Sequence, residues 1–523
     1  MDIVPQEIME EIFLCCLFSA RTGSFADVGT SRPPLLFLTV CKRWREIAVS
    51  TPSLWSTVQL TFPRRFPESS NSPGNIDGSV PASVGVRAWL TRASDSPLSL
   101  SVQEDTDPQD GVAGLSAPSS GLRDLTIMGI SRVVGDFSAR YVCLSLDVSP
   151  QVFRAICYDG QGGERSFSSL RSLSIGTARS AWTLRDTATA HNLPFFRGNI
   201  HLHSLSLSTT SLPVNLLLVP RSSFEFLVEL ALTYRLGSNL FRPTPLLVFQ
   251  ILERCLNLRV CRLTVGETSA PFGFEPQRRL ELRDLKELVI VDEYPRTTAS
   301  LMAALFLPSL ERLSYTHCIS ERFDLPFNAA DEPFLPIQSL QLRRGILDPS
   351  PLCRLTLHLT ADDEDDEPEI SYAVSGYLAC EGESIQALEL IEASYETTRL
   401  FTNRRSVETI GGVSSMTLCP NLENVTWTSS DLRTRCGVLE MLRRRCDAQT
   451  DVYCPQLRVV SVVFWVDHPT HMDEVEQELR SICQSDTGSP RIHYKIICWT
   501  VKRSASHGDF MSTEGVLMSG YSF

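Results

Sequence analysis

The C-x-x-C pattern of a metal site is missing from this sequence. Its 16 cysteines are scattered along 523 residues and no C-x-x-C pair occurs, whereas zinc ligands come in close pairs that preorganise a tetrahedron. The cysteines therefore read as reduced core residues. His468 and His471 stand three apart near Cys483, but they flank Pro469 in a polar stretch and read as a solvated loop. Long apolar runs are missing too: no segment approaches the roughly 20 residues that span a bilayer. At the N-terminus Asp2, Glu7, Glu10 and Glu11 stand where a secretory signal carries positive charge, and the longest apolar run there is only Ile12 to Phe18. The chain is expected to be intracellular, with no membrane partner. Excess positive charge is also lacking. The formal net charge is −13, with seven negative charges in 362–369, which argues against nucleic acid, since phosphate binding needs a basic face.

Catalytic signatures are equally scarce. No G-x-S-x-G elbow, P-loop or H-E-x-x-H occurs. "GQGGER" from Gly160 lacks the third glycine of a dinucleotide fingerprint and reads as a turn. "DDEDDEPE" from Asp362 lacks the alternating ligands and the glycine of a calcium loop; it is expected to be an exposed loop. Arg443 to Arg445 read as a solvated helix face. No enzyme and no cofactor is expected.

What is present begins with two amphipathic segments. In "DIVPQEIMEEIFLCCLF" Pro5 sits where a first helical turn tolerates a missing N–H, and Ile8, Ile12, Phe13, Cys16 and Leu17 recur at helical spacing. After a polar stretch, Pro33 and Pro34 open a second helix. Its apolar residues are Leu36, Val40, Cys41, Trp44, Ile47 and Ala48, and Pro52 stops it. A turn then inserts Leu54 and Trp55 before the alternating "VQLTF". Units this small close no core alone without metal or disulfides, so either a partner or the rest of the chain must cover their apolar residues.

These residues resemble an F-box. Its pattern is a Leu-Pro start, an Ile-Phe pair, a Val-Cys-x-x-Trp and a Leu-Trp after a proline turn. The chain supplies Val4-Pro5, Ile12-Phe13, Val40-Cys41-Lys42-Arg43-Trp44 and Leu54-Trp55 in that order. It departs from the pattern in Val4 and in a longer loop, Ser19 to Arg32. That loop and "VRAWLTRASDSPLSLSV" are similar to F-box families of mushroom-forming fungi. The resemblance implies docking to the Skp adaptor of a cullin ubiquitin ligase. The candidate partner-binding residues are Pro5, Ile8, Ile12, Phe13, Leu17, Val40, Cys41, Trp44, Ile47, Leu54 and Trp55.

Beyond residue 121 a Leu-x-x-Leu-x-Leu kernel recurs twelve times, starting at Leu122, Leu170, Leu202, Leu227, Leu258, Leu285, Leu310, Ile337, Leu352, Ile385, Leu422 and Leu457. Each copy puts two apolar residues two apart on a short strand, with an anchor three residues earlier. One such unit cannot bury its own apolar face, whereas stacked neighbours share a core. The region resembles a leucine-rich repeat domain with irregular spacing. Helices are expected in "PLLVFQILERCLNL", "TTASLMAALFLPSL", "DLRTRCGVLEMLRRRC" and "HMDEVEQELRSIC".

The expected fold is α+β, a small helical F-box followed by an irregular leucine-rich-repeat-like α/β solenoid. The expected segments are 1–62 F-box-like, 63–121 linker and first strands, 122–502 repeats, and 503–523 a flexible tail. The implied function is a substrate-recognition adaptor of an SCF-type ligase that binds a protein target through its repeats. A non-ligase binding scaffold, with the F-box-like helices as its cap, is the alternative.

Overall fold

The computed structural model describes residues 4–18, 32–63, 80–105, 120–158, 163–176, 201–209, 221–234, 243–265, 279–292, 295–317, 352–359, 374, 377–378, 382–391, 405–409, 412–416, 419–429, 432–446, 457–466, 472–483, 493–501 and 513–516. The acidic run 362–369, the kernel at Ile337 and the His468/His471 pair lie outside these residues. The chain mixes helices with a large parallel sheet and divides into two compact units, Met1–Arg242 with Gln250–Cys255, and Pro243–Phe249 with Leu256–Phe523.

The first unit opens with helices α1 (Gln6–Phe18), α2 (Phe37–Val40) and α3 (Lys42–Ser50). Strands and helices then alternate: β1 (Thr57–Pro63), α4 (Val80–Arg92), β2 (Leu98–Asp105), α5 (Ser120–Asp136), β3 (Tyr141–Asp147) and α6 (Pro150–Cys157). β4 (Ser172–Gly176), β5 (Ser204–Thr209) and β6 (Glu229–Tyr234) follow. β1 to β6 pair in chain order and all in parallel. Parallel neighbours need a crossover of a dozen or more residues, and α4, α5 and α6 supply the first three. The helices bury Trp89, Leu90, Ile130, Val133, Val134, Val152, Phe153 and Ile156, and the strands bury Leu100, Leu144, Leu173 and Leu205. Helices and strands thus enclose one apolar core.

The second unit contains β7 (Val260–Val265), β8 (Leu280–Glu281), β9 (Glu287–Asp292), β10 (Leu305–Phe306), β11 (Arg312–His317), β12 (Arg354–Leu359) and β13 (Ala387–Ile391). β14 (Arg405–Thr409) and β15 (Gly412–Met416) form an antiparallel hairpin. β16 (Asn424–Ser429), β17 (Val459–Val466), β18 (His493–Val501) and β19 (Thr513–Val516) complete it. Its main sheet runs β7-β9-β11-β12-β13-β16-β17-β18, again parallel and in chain order. All four expected helices form, at Pro245–Leu252, Pro295–Ala304, Leu432–Cys446 and Met472–Cys483.

Register explains why the kernel repeats. Leu288, Leu313, Leu355, Leu388, Val425 and Val460 are successive partners, and so are Ile290, Tyr315, Leu357, Leu390, Trp427 and Val462. All twelve are buried, as are the anchors Leu285, Leu310, Leu352, Ile385, Leu422 and Leu457. With a side-chain period of two, unstaggered pairing keeps each apolar pair in one column on the core face.

Two expectations about secondary structure are corrected. "LRDLTI" from Leu122 lies in α5. Positions i and i+3 belong to a helical face as well as to the kernel, and Ile130, Val133 and Val134 continue the helical spacing. The strand of that segment is β3, where Tyr141, Leu144 and Leu146 keep the kernel's spacing and are buried. The helix expected from Pro33 to Pro52 is broken at Cys41, whose backbone is extended and whose Sγ accepts the Trp44 N–H at 3.5 Å, opening a new helix. Helix α4 begins inside the expected linker. Within the expected tail, β19 pairs antiparallel with β18 and so occupies ladder groups that an edge strand leaves open.

Candidate functional site

The N-terminal helices are held together by aromatic rings. Phe13 of α1 stacks on Phe37 of α2 with centroids 4.1 Å apart, and Trp44 of α3 meets Phe13 edge-on at 5.0 Å and Phe37 at 6.0 Å. Such pairs add roughly 0.5–1.5 kcal/mol each beyond the area they bury. Main-chain contacts reinforce the assembly: the Arg43 guanidinium donates to the Val4 carbonyl at 2.5 Å, and Arg45 Nε donates to the Leu38 carbonyl at 2.8 Å. Phe37 was not among the sequence candidates. Its sequence signal is the apolar residue three before Val40, on the same turn as Leu36.

Trp55 closes the module from below. Its indole N–H donates to the Ala48 carbonyl at 2.7 Å, its ring packs edge-on against Trp89 of α4 at 5.1 Å, and the Arg92 guanidinium sits over it at 4.8 Å. The Ser99 N–H donates to the Ser56 carbonyl at 2.8 Å, and β1 pairs directly with β2. Trp55, Val58 and Leu60 carry the kernel's spacing and are all buried. The strand after the helices is thereby the first of the sheet.

The sequence candidates fall into two groups. Phe13, Ile47, Leu54 and Trp55 are buried within the chain, and Trp44 and Leu17 are half-buried. Pro5, Ile8, Ile12, Val40 and Cys41 face outward. Ile8 is 51% exposed, Ile12 45% and Val40 50%, and Val4, Leu36 and Val49 are exposed beside them in sequence. On α1, Ile8 and Ile12 stand four residues apart, so they share one stripe. Of the eleven exposed large apolar residues described in the chain, six lie between residues 4 and 49. That concentration separates this region from the scattered apolar exposure usual on a protein surface.

Among the described residues, no group of three His, Cys, Asp or Glu side chains could hold a metal ion, and no helix is long and apolar enough to cross a membrane. The buried acids have structural partners. Glu104 accepts the Ser149 N–H at the start of α6 at 2.7 Å. Asp292 accepts from Thr298 at 2.7 Å and from Tyr315 at 2.8 Å. Arg445, expected on a solvated face, is fully buried and donates to the Cys419 carbonyl at 3.2 Å. Arg443 does face solvent, pairing with Glu440 and Glu478 at 2.9 Å. The difference follows helical phase: Arg445 lies three and four residues beyond the buried Leu442 and Met441, on the core side of its helix.

A scan against protein-family models and a search of curated proteins each find no match to this chain.

Proposed function

We propose that α1–α3 form an F-box-type module that docks the Skp adaptor of a cullin ubiquitin ligase, and that the parallel sheet is a leucine-rich-repeat-like solenoid that selects a protein target. The reading is carried by one observation: Ile8, Ile12 and Val40 are exposed on helices whose buried faces are already filled by Phe13, Phe37 and Trp44. A helix pair with its inner face satisfied and a second apolar stripe outward suits docking against another protein's helices. Ubiquitin transfer belongs to other subunits in this reading.

The experiment is a pulldown of the full chain with purified Skp adaptor, beside the Ile8→Asp/Ile12→Asp double variant. Capture of the parent chain and loss of capture by a folded variant support the module; equal capture of both removes it.

A second reading has its own support. Trp55 ties α3 to α4, which is what the cap of a binding scaffold with no ligase role requires. Failure of the parent chain to capture the adaptor favours that scaffold.

A further inference from the structure

The face of the second unit's sheet opposite its core carries a charged ladder. Glu287 on β9 accepts Arg262 Nη2 from β7 at 2.8 Å through one oxygen, and Arg312 Nη2 from β11 at 2.8 Å through the other. One carboxylate thus serves two guanidinium groups on neighbouring strands. The next strand breaks the alternation. Arg354 on β12 is the register partner of Arg312, and both are exposed because the residues following them, Leu313 and Leu355, point into the core. Parallel strands lie about 4.8 Å apart, and like charges directly opposite on one face are destabilising.

Arg312 has Glu287, but no carboxylate of a described residue pairs with Arg354. Its partner on the far side is Ala387 on β13, which carries no charge. Glu389, one pleat further, is engaged by the Thr356 hydroxyl at 3.1 Å. Among the described residues the ladder therefore lacks one carboxylate beside Arg354. Around that place the surface is polar, with the half-buried Ser314 and Thr356 one pleat along.

We propose that Arg312 and Arg354 form the docking point for a carboxylate side chain on an acidic peptide segment of a partner protein. The occupant follows from the ladder itself, where one carboxylate bridges the guanidinium groups of Arg262 and Arg312, one oxygen to each at 2.8 Å; a second carboxylate between Arg312 and Arg354 would repeat that charge-assisted bridge. Glu287 beside Arg312 and Glu389 one pleat from Arg354 leave a place for one added carboxylate rather than for a continuous run of phosphates. The inference rests on reading the sheet as a protein-recognition face, and is independent of what α1–α3 dock.

The test is fluorescence anisotropy with the full chain and a labelled peptide of alternating Glu and Ser, a matched Lys/Ser peptide, and a third with phosphoserine replacing one Glu. The Glu peptide binds and the Lys peptide does not, and added salt weakens the binding. Arg354→Ala weakens it about fivefold or more, as loss of a charge-assisted pair requires, while Arg221→Ala leaves it unchanged. Ala387→Glu supplies the carboxylate from within the chain, so it raises the melting temperature and also abolishes peptide binding. Adaptor capture by these variants stays at the parent level, which separates this site from the helical module. The proposal is overturned by undiminished binding to Arg354→Ala, or by an equal loss in Arg221→Ala. A lowered melting temperature for Ala387→Glu overturns it too, since no carboxylate then fits beside Arg354. Much tighter binding of the phosphoserine peptide would assign the site to phosphate instead.

Discussion

Phe13 lies almost flat on Phe37, ring planes 12° apart, while its neighbour Ile12 faces out of the same helix. Adjacent residues in one motif thus do opposite things, one closing the module and the other remaining available to a partner. Replacing Phe13 with Ala should cost about 3–5 kcal/mol through the cavity it leaves. Ile8→Asp with Ile12→Asp should change stability by under about 0.5 kcal/mol per site, as exposed substitutions do, and abolish adaptor capture. Thermal melts paired with pulldowns check both; a large stability loss in the double variant would mean that these isoleucines are core.

The core columns of the second unit make a sharper comparison. Leu288 and Leu313 are register partners and are each 1% exposed, so Leu288→Asp or Leu313→Asp buries an unpaired charge and should cost several kcal/mol. Glu287→Ala removes two partly exposed ion pairs and should cost no more than about 1 kcal/mol for each. Chemical denaturation of the three variants reads the difference, and similar losses at positions 287 and 288 would contradict the register.

Alkaline pH should weaken the first unit. Burial pushes the Cys255 thiol up to about 12, raises the Cys157 thiol well above its usual range and also raises the Tyr141 phenol. Each group holds its proton more tightly folded than unfolded, so its stabilising contribution is complete below the unfolded pKa. It begins to fall as pH passes about 8.5 for the thiols and about 10 for the phenol, and goes on falling up to each group's raised folded value. Melting temperatures from pH 7 to 11 should decline across that window, and a flat profile would contradict the burial of these groups. In the folded chain Cys15 and Cys41, both exposed, should alkylate readily, whereas Cys157, Cys255, Cys261 and Cys419 should react only after unfolding. Site-resolved mass spectrometry distinguishes the two sets.

Two arginines of one helix should differ strongly. Arg445→Ala leaves the Cys419 carbonyl without its charged donor and opens a void, at a cost of roughly 2 kcal/mol or more. Arg443→Ala removes only exposed ion pairs and should cost under about 1 kcal/mol. Equal melting temperatures for the two variants would contradict the burial of Arg445.

Much of this architecture was legible in sequence because the kernel is a statement of periodicity. Leu285, Leu288 and Ile290 announce an anchor and two inward residues wherever they stand, and the register only stacks them. The pattern failed where its first two positions are shared with a helix, at Leu122 and Leu125. Aromatic anchors replace leucine at Trp55 and Tyr141 and hide the kernel there, although the spacing of buried residues is the same. The proposed docking residues are harder, because helical spacing at Ile8, Ile12, Phe13 and Leu17 marks two apolar faces without saying which is filled from within. That choice depends on Phe37 and Trp44, which reach Phe13 from other helices. The Arg262–Glu287–Arg312–Arg354 ladder was invisible for a similar reason, since its members are 25 to 42 residues apart and become neighbours only through register.

The most direct test of the central claim is isothermal titration of the purified full chain with purified Skp adaptor, repeated with the Ile8→Asp/Ile12→Asp variant. The account predicts saturable one-to-one binding by the parent chain and none by the variant at an unchanged melting temperature. No heat of binding from a folded parent chain, or equal affinity for both chains, would contradict it.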